Sequence, residues 1–456
     1  MKKGQTVEVF IEDTKYPSTG IGTVDGKQIE IKNALLKEKV LARITRKREN
    51  MLEAKLVEVL EPNPEAAPAQ CRHAAECGGC SHQHIPYDVQ LKWKEREVLK
   101  LFTEAGIAGF TYDGIQGSPL EYEYRNKMEF TFGNMEKGGE MTLGMHQSGR
   151  FYSILSIDDC RIGDHDYNAV IQAVLGYCRE TGLPFYNKMS HEGFWRHLIV
   201  RKSFRKKELL INLVTSTQTQ HDFSGLVERL KSLELQNDII GILRTRNDSV
   251  ADAVTNEGYD VLYGRDYIFE EILGLRFKIS AFSFFQTNSL GAEKLYSMTQ
   301  AYLGDANGKV VYDLYCGTGT ITQIVSQKAK KVYGIELVEE AVEAAKENAQ
   351  LNGIDNVKFI AGDVGEKLRE ISERPDLIIV DPPRSGIGPK ALQQIIGYGV
   401  KEIVYVSCNP KTLVENLADM VKAGYKVERL ELMDMFPHTS HVESIILMTN
   451  SGQKSK

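Results

Sequence analysis

The sequence predicts a multidomain α/β protein: a small β-barrel, then an α+β domain, then a doubly wound, Rossmann-like parallel sheet. Three observations predict this architecture. The chain has 456 residues, more than a single hydrophobic core usually serves. Short alternating apolar segments dominate its start, and from about residue 279 apolar strands alternate with helical segments. We therefore expect domains at residues 1–60, 61–278 and 279–456.

The N-terminal domain is predicted from alternating apolar residues separated by turn residues. Val7 and Val9 form one such pair, and Ile29 and Ile31 form another after a glycine-rich turn. This rhythm is typical of a small barrel. The following segment, 61–70, contains three prolines and reads as a linker.

The middle and C-terminal domains differ in their apolar periodicity. The middle domain has an amphipathic helix over 87–105 and strand-like segments at 127–132 and 208–214. In the C-terminal domain, five apolar strands alternate with helices, as in a parallel sheet. The predicted strands are 309–314, 332–335, 357–360, 377–380 and 403–406.

Composition narrows the class of protein. The formal net charge is -6 and no apolar run is long enough to span a bilayer, so we expect a cytoplasmic protein without a membrane partner. Any nucleic-acid contact must then use local basic patches, of which Arg43–Arg48 and Arg201–Lys207 are candidates in predicted turns. The seven cysteines are odd in number and unevenly spaced, which favours metal or catalytic chemistry over a disulfide framework.

A glycine-containing loop follows the first strand of the predicted parallel sheet. Residues 315–319 read Tyr-Cys-Gly-Thr-Gly, and Thr322 stands where a dinucleotide fingerprint has its third glycine. A nucleoside ligand therefore fits better than a dinucleotide. Glu336 follows the second strand, where a carboxylate can accept hydrogen bonds from ribose hydroxyls, and Asp363 follows the third, near an expected adenine. Taken alone, this loop sequence is equally compatible with a tight turn that binds no ligand.

Three further residues suggest chemistry near the same sheet edge. Asp381 ends the fourth strand and precedes two prolines that stiffen its loop. Cys408 ends the next strand and is a candidate nucleophile, although a buried cysteine is commonly a packing residue. Glu443 precedes the last strand and is a candidate general base, although a single glutamate is more often a surface residue.

Together these motifs resemble the RNA 5-methyluridine methyltransferases over nearly the whole chain. The similar segments are residues 313–319, 381–384, 407–410, 441–443 and 284–286. The resemblance implies an OB-like TRAM domain over 1–60 and S-adenosyl-L-methionine as the cofactor. The cofactor-binding residues that it implies are Gln286, Tyr315, Gly317, Glu336, Asp363 and Asp381.

Methylation at C5 of a uridine explains why the two catalytic candidates are needed together. The C5 carbon is a poor nucleophile until a thiolate adds to C6, and Cys408 is expected to supply that thiolate. Glu443 is expected to remove the C5 proton afterwards. Because the uridine must leave its stack, the expected substrate is a single-stranded loop or bulge of RNA.

Four of the cysteines suggest a metal centre. Cys71, Cys77 and Cys80 have the spacing C-x5-C-x2-C, and Cys160 is a distant fourth ligand. Four thiolates hold either zinc or a 4Fe-4S cluster, and spacing alone slightly favours zinc. The resemblance to the ribosomal branch of the family implies the 4Fe-4S cluster, and with it 23S ribosomal RNA as the substrate. No obligate protein partner is implied.

Other functions remain compatible with parts of the sequence. The same reaction on transfer RNA uses the same residues, and an amino-group methyltransferase of nucleic acids has a similar acidic loop but no need for Cys408. A nicotinamide-dependent oxidoreductase shares the sheet type, and a non-catalytic RNA-binding factor would use the barrel and the cysteines alone. Replacing Cys408 with alanine should leave an amino-group methyltransferase active, and calorimetry of cofactor binding identifies an oxidoreductase. Full RNA binding without methyl transfer to any uridine would indicate the non-catalytic factor.

Overall fold

The computed structural model describes residues 1–450, which form two compact units. One unit contains residues 1–69, 81–117 and the chain from Pro382 onward, and the other contains residues 70–80 and 118–381. Each unit is therefore built from segments that are separated in sequence. Over residues 1–450, no helix has both the length and the apolar character that crossing a membrane requires.

The N-terminal residues form a six-stranded sheet in the order β1-β5-β6-β4-β3-β2. Strands β4 and β6 pair in parallel and the other neighbours are antiparallel. One core fills its inner face, with Val9, Ile29, Ile31 and Leu52 almost fully buried. The predicted all-β structure of the N-terminal residues is confirmed. Its strands are β1 (Thr6–Phe10), β2 (Asp13–Lys15), β3 (Thr19–Val24), β4 (Lys27–Lys32), β5 (Lys39–Lys47) and β6 (Met51–Glu61).

A long helix and a short strand follow in the same unit. Helix α1 (Tyr87–Glu104) confirms the predicted amphipathic helix, and β7 (Thr111–Gln116) comes after it. The helix buries apolar residues such as Val98 and Phe102, but it also buries Gln90 and Lys94. A buried polar face on a helix requires partners, and these lie near the candidate active site described below.

The second unit contains a seven-stranded sheet in the order β10-β9-β8-β11-β12-β13-β14. Only β12 and β13 pair in parallel. Helices α2 and α3 cover its core, which includes Phe130, Tyr167, Trp195 and Leu226. The elements are β8 (Lys127–Gly133), β9 (Thr142–Gln147), β10 (Arg150–Ser156), α2 (His165–Thr181), β11 (Trp195–Lys202), β12 (Glu208–Thr215), α3 (Ser224–Lys231), β13 (Asp238–Arg246) and β14 (Tyr259–Gly264).

The same unit continues with a hairpin and a parallel sheet in the order β19-β18-β17-β20. All neighbours in this sheet are parallel, as predicted, and the two strands β17 and β20 are buried along their whole length. The elements are β15 (Tyr267–Ile272), β16 (Leu275–Ser280), α4 (Ser289–Leu303), β17 (Val310–Leu314), α5 (Thr320–Ser326), β18 (Lys331–Glu336), α6 (Glu339–Leu351), β19 (Val357–Ala361), α7 (Val364–Lys367) and β20 (Leu377–Val380).

The C-terminal segment returns to the first unit. Its strands and β7 have the order β21-β23-β22-β7, in which β23 is antiparallel to both neighbours and β22 is parallel to β7. The strand β7, from the sequence range 61–278, thus pairs with a C-terminal strand. The elements are α8 (Pro389–Tyr398), β21 (Glu402–Ser407), α9 (Pro410–Lys422), β22 (Tyr425–Met433) and β23 (Glu443–Asn450).

Candidate active site

The glycine loop of the second unit turns tightly between β17 and α5. Tyr315, Gly317 and Gly319 all have positive φ, of 67°, 53° and 73°. A side chain on Gly319 would lie 2.6 Å from the Phe359 ring, whereas a Cβ on Gly317 would have no atom within 4 Å. Gly319 is therefore required for packing, and Gly317 leaves open space beside the loop for a ligand.

Glu336 is fixed at the end of β18 by backbone groups. The amide nitrogen of Gly317 donates to its Oε2 at 3.1 Å, and that of Val338 donates to its Oε1 at 3.0 Å. Each carboxylate oxygen can accept a further hydrogen bond. The predicted ribose acceptor is thus held beside the glycine loop in a defined orientation.

Tyr315 and Asp363 lie close to each other near the ends of β17 and β19. Burial raises the pKa of the Tyr315 hydroxyl to about 12, and the charge of Asp363 adds to this effect. Asp363 is exposed and precedes α7 as its N-cap residue. The structure therefore brings together four predicted cofactor residues: Tyr315, Gly317, Glu336 and Asp363.

Two acids at neighbouring strands have strongly altered ionisation. Burial raises the pKa of Asp313 to about 7, against its hydrogen bond from Thr322. Burial likewise raises the pKa of the half-buried Asp381 to about 7, with the Asp313 charge as a second cause. The Oγ1 of Thr322 donates to Asp313 Oδ2 at 2.5 Å, while the buried Asp313 Oδ1 has no hydrogen-bond partner among the described residues. The sequence analysis included Asp313 in the segment 313–319 but assigned it no role, because it reads as an ordinary buried strand position.

The segment after β16 lies against the glycine loop. The Thr318 hydroxyl donates to the Phe284 carbonyl oxygen at 3.5 Å, and Asn126 Nδ2 donates to the Gln286 carbonyl oxygen at 2.9 Å. Phe285 is buried, whereas the Phe284 side chain is 69% exposed. Gln286 is therefore held near the loop, and an exposed aromatic ring stands two residues before it.

In the first unit, Cys408 lies in the turn between β21 and α9. Asn409 caps α9 by accepting a hydrogen bond from the Lys411 amide, and its Nδ2 donates to the Arg384 carbonyl oxygen at 2.8 Å. The Thr412 hydroxyl donates to the same oxygen. Cys408 is half-buried, so its thiol is sheltered but accessible.

Strand register places Cys408 next to Glu443. The pairing of β21 with β23 ends at Ser407 opposite Ser444. Cys408 and Glu443 directly adjoin this last pair, and the charges of both act on the same neighbouring side chain, Tyr16. Glu443 is itself buried and pairs with Met433 on its other side. The candidate nucleophile and base are thus neighbours.

Tyr16 of the N-terminal sheet approaches the same two residues. Burial raises the pKa of its hydroxyl well above the usual value, and the charges of Glu443 and Cys408 raise it further, while Arg384 opposes them. The side chain is 5% exposed. Sequence reasoning missed Tyr16, because a tyrosine between two short strands carries no signal of a distant partner.

Helix α1 supports the segment that leads into Glu443. Gln90 Nε2 contacts His438 Nδ1 at 3.1 Å, and its Oε1 accepts from the His438 amide at 2.9 Å. Lys94 forms an ion pair of 2.8 Å with Asp434, and both side chains are buried. The His438 carbonyl oxygen accepts from the amides of Ser81 and His82. The polar face of α1 therefore holds the loop before β23 in place.

Comparison with known families decides the assignment. Residues 86–451 match the model of the tRNA (uracil-5-)-methyltransferase family, and residues 1–57 match the TRAM domain. The chain belongs to the tRNA (uracil-5-)-methyltransferase family. The family consists of RNA methyltransferases, which confirms both the resemblance and the enzyme class expected from the sequence.

Relatives of this family member span its whole length. An uncharacterized RNA methyltransferase of Clostridium acetobutylicum is 52% identical over 98% of both chains, and one of Clostridium tetani is 50% identical over 98% of both. The crystal structure of a Pyrococcus abyssi tRNA (uracil-54, C5)-methyltransferase with S-adenosyl-L-homocysteine covers 97% of this chain and 100% of its own. It has a TM-score of 0.76 at 24% identity. This likeness confirms the methyltransferase fold.

The four cysteines predicted to bind metal all lie in the second unit of the family member, and Cys71, Cys77 and Cys160 are near one another. Cys71 Sγ contacts the Asp159 carbonyl oxygen at 3.4 Å, next to Cys160. Burial raises the pKa of Cys77 to about 11, and the charges of Cys160 and Cys71 add to it. In the described part of the chain, which includes all seven cysteines, no disulfide forms and no three potential ligands are grouped as a metal site.

The basic residues at 43–48 and 201–207 were predicted to lie in turns, and the structure agrees with this only in part. Arg201 and Lys202 are buried in β11, where Arg201 donates to the Ser283 carbonyl oxygen and Lys202 pairs with Asp164. These two residues cannot reach phosphates, so that part of the prediction is wrong. In the N-terminal cluster, Arg43 and Arg46 lie within β5 instead of in a turn.

Proposed function

We propose that the protein methylates C5 of a uridine in 23S ribosomal RNA through a covalent Cys408–uracil adduct. The observation that supports the proposal is the register of β21 and β23, whose last pair, Ser407 and Ser444, directly adjoins Cys408 and Glu443. The family assignment supports the reaction type. A cytoplasmic location fits a ribosomal substrate.

The two residues divide the chemistry between them. The Cys408 thiolate adds to C6 of the uracil, and the electron pair of the C5–C6 double bond moves to C5 and O4. S-adenosyl-L-methionine supplies the methyl group on a sulfonium, from which C5 takes it. Glu443 then accepts the C5 proton, the double bond re-forms, and Cys408 leaves as a thiolate. Its burial keeps Glu443 away from competing water.

The second unit offers the groups that would bind the methyl donor. Glu336 is held with free acceptor capacity beside the open space at Gly317, which suits the ribose hydroxyls. Asp363 and Tyr315 suit the adenine, and Gln286 and Asp381 complete the set. The unpartnered Asp313 Oδ1 at the base of the loop is consistent with a polar ligand there.

The proposal includes a 4Fe-4S cluster on Cys71, Cys77, Cys80 and Cys160. Three cysteines on residues 71–80 and the contact of Cys71 Sγ with the carbonyl oxygen of Asp159, the residue before Cys160, support it. The thiols must turn toward a common centre on binding, since they are not grouped as a metal site. Zinc is the alternative occupant of such a donor set.

Transfer RNA is the second candidate substrate. The matching family model is named for tRNA, and the Pyrococcus abyssi enzyme is a tRNA (uracil-54, C5)-methyltransferase. Mapping 5-methyluridine in both RNA classes from a deletion strain distinguishes the two. Loss from 23S RNA alone supports the proposal, and loss from tRNA alone replaces it with the second candidate.

The covalent step has its own test. RNA containing 5-fluorouridine, transcribed from the mapped target region, is incubated with protein and methyl donor and resolved on a denaturing gel. We expect a stable protein–RNA band, because fluorine cannot be removed as the C5 proton is. Cys408→Ala should form no band, while Cys178→Ala, which removes a buried thiol far along the chain, should form it normally. Absence of the band with wild-type protein contradicts the proposal.

A further inference from the structure

The tip of the β9–β10 hairpin exposes two adjacent aromatic rings. The side chains of Phe151 and Tyr152 are 57% and 65% exposed. Both residues lie in a strand, and the same strand buries Ile154 and Leu155. Aromatic side chains stabilise a protein mainly by burying their large area, so leaving two neighbouring rings in solvent indicates a contact surface.

These rings are held in fixed positions instead of moving freely. The His146 ring stacks on Phe151 with centroids 5.0 Å apart and planes 18° apart, and Tyr152 meets Phe151 edge-on at 5.3 Å. His146 Nδ1 donates to the Phe151 carbonyl oxygen at 2.6 Å. Lys188 Nζ lies 4.8 Å from the Phe151 centroid. The surface is therefore organised before any partner binds, which reduces the entropy cost of binding.

The loop that carries Cys77 fixes the hairpin itself. The Gly78 amide donates to the His146 carbonyl oxygen at 2.9 Å, and the Ser148 amide donates to the Glu76 carbonyl oxygen at 2.7 Å. The backbones of Cys77 and Gln147 also form an isolated antiparallel β-bridge. A Cβ on Gly78 would lie 3.0 Å from the His146 oxygen, so this close approach depends on glycine.

Among the residues that the structure describes, Arg150 is the unpaired positive charge beside the rings, since Asp252 pairs with both Lys188 and His146. Arg150 is exposed at the tip and makes no ion pair within residues 1–450. Lys188 lies against Phe151 and is partly neutralised by Asp252. Exposed aromatic rings next to basic side chains are the combination by which proteins bind unpaired nucleotides, because bases stack on the rings and cations meet phosphates.

We propose that residues 146–152, the hairpin tip, form a stacking platform for unpaired bases of the substrate RNA outside the target uridine. The proposal rests on RNA as the substrate, which the family assignment supplies. If the platform binds RNA, the loop that carries Cys77 has the role of holding this RNA-binding surface in place. A protein partner is the competing occupant, and the test below separates the two.

The experiment measures binding of a fluorescein-labelled oligouridylate to the full-length protein by anisotropy. Phe151→Leu and Tyr152→Leu keep apolar area but remove the stacking face, and each should weaken binding by about tenfold or more. Phe151→Tyr keeps an aromatic face at this position and should bind like the wild type. That result would show that binding requires the ring itself. The matched control is Tyr263→Leu, because Tyr263 is also an exposed aromatic next to a lysine but lies in β14 at the other end of the sheet.

The outcomes are distinct from those of the proposed reaction. The anisotropy assay contains no methyl donor and measures binding alone, so a failure of the proposed methyl transfer leaves this test intact. Unchanged affinity of both leucine variants overturns the proposal and favours a protein partner. Equal loss in Tyr263→Leu also overturns it, since the effect would then not be specific to the hairpin tip.

Discussion

At the scale of single residues, the ionisation of Glu443 governs the last step of the proposed reaction, because a carboxylate must accept the C5 proton before the thiolate can leave. Glu443→Gln preserves volume but removes the base. We expect covalent protein–RNA complex to accumulate, with product release slowed by about two to four orders of magnitude. Quantifying the complex on denaturing gels checks this. Glu428→Gln on the neighbouring strand is the control, and normal product release from Glu443→Gln contradicts the assigned role.

Asp313 gives a second prediction at this scale. Its pKa is about 7 in the folded protein against 3.8 ordinarily, so folding favours the protonated form. Its stabilising contribution is complete below 3.8 and is lost as pH rises through about 7. Asp313→Asn should remove this loss, on the order of 2 to 4 kcal/mol.

Urea unfolding at about pH 5 and about pH 8 measures the difference. The wild type should lose more stability over that interval than Asp313→Asn does. The exposed Asp355 provides a control, since Asp355→Asn should leave the pH dependence as it is in the wild type. Equal slopes for wild type and Asp313→Asn would show that Asp313 is already ionised in the folded protein.

At the scale of elements, helix α1 holds the loop that precedes Glu443. Its buried Lys94 pairs with the buried Asp434, so Lys94→Met leaves a carboxylate unpaired in the interior. Breaking a buried pair on one side costs about 3–5 kcal/mol. We expect that loss of stability in urea unfolding, together with slower adduct formation, because the loop before Glu443 loses its support.

The same helix contains a matched control for this prediction. Lys92 pairs with Asp88, and both side chains are 70% exposed. Exposed pairs contribute about 0–1 kcal/mol, so Lys92→Met should be nearly neutral. A double variant, Lys94→Met with Asp434→Leu, should recover much of the stability, because no charge is then left buried. Equal effects of Lys92→Met and Lys94→Met would contradict this interpretation.

Element positions were largely predictable because apolar periodicity reports burial directly. The strands that became β17 to β21, and helix α1, lie within two residues of their predicted bounds. What periodicity cannot report is the partner of a polar side chain. Arg201 and Lys202 look like a surface cluster in sequence, but β11 lies in the middle of its sheet and buries both. Tyr16 and Gln90 acquire their neighbours only through tertiary folding.

At the scale of the whole molecule, the second unit joins residues 70–80 to a segment beginning at Ser118. A metal cluster on Cys71, Cys77, Cys80 and Cys160 would link these two segments. We expect anaerobically purified protein to contain iron and sulfide in equal amounts, and Cys160→Ser to lose both. Metal analysis and visible absorbance check this, with Cys178→Ser as the control because that thiol is packed in the core. Stoichiometric zinc without sulfide would replace the cluster with a zinc site.

The antiparallel pairing of β21 with β23 also limits where the protein sequence can accept insertions and deletions. Side chains alternate between the two faces of a strand, so adding or deleting one residue within β23, after Glu443, turns the carboxylate away from Cys408 or breaks the pairing with β21. Changes of two residues preserve the facing but move the glutamate along the strand. Natural variants of this stretch should therefore differ by substitution, whereas length variation should concentrate in surface turns such as the one between α8 and β21.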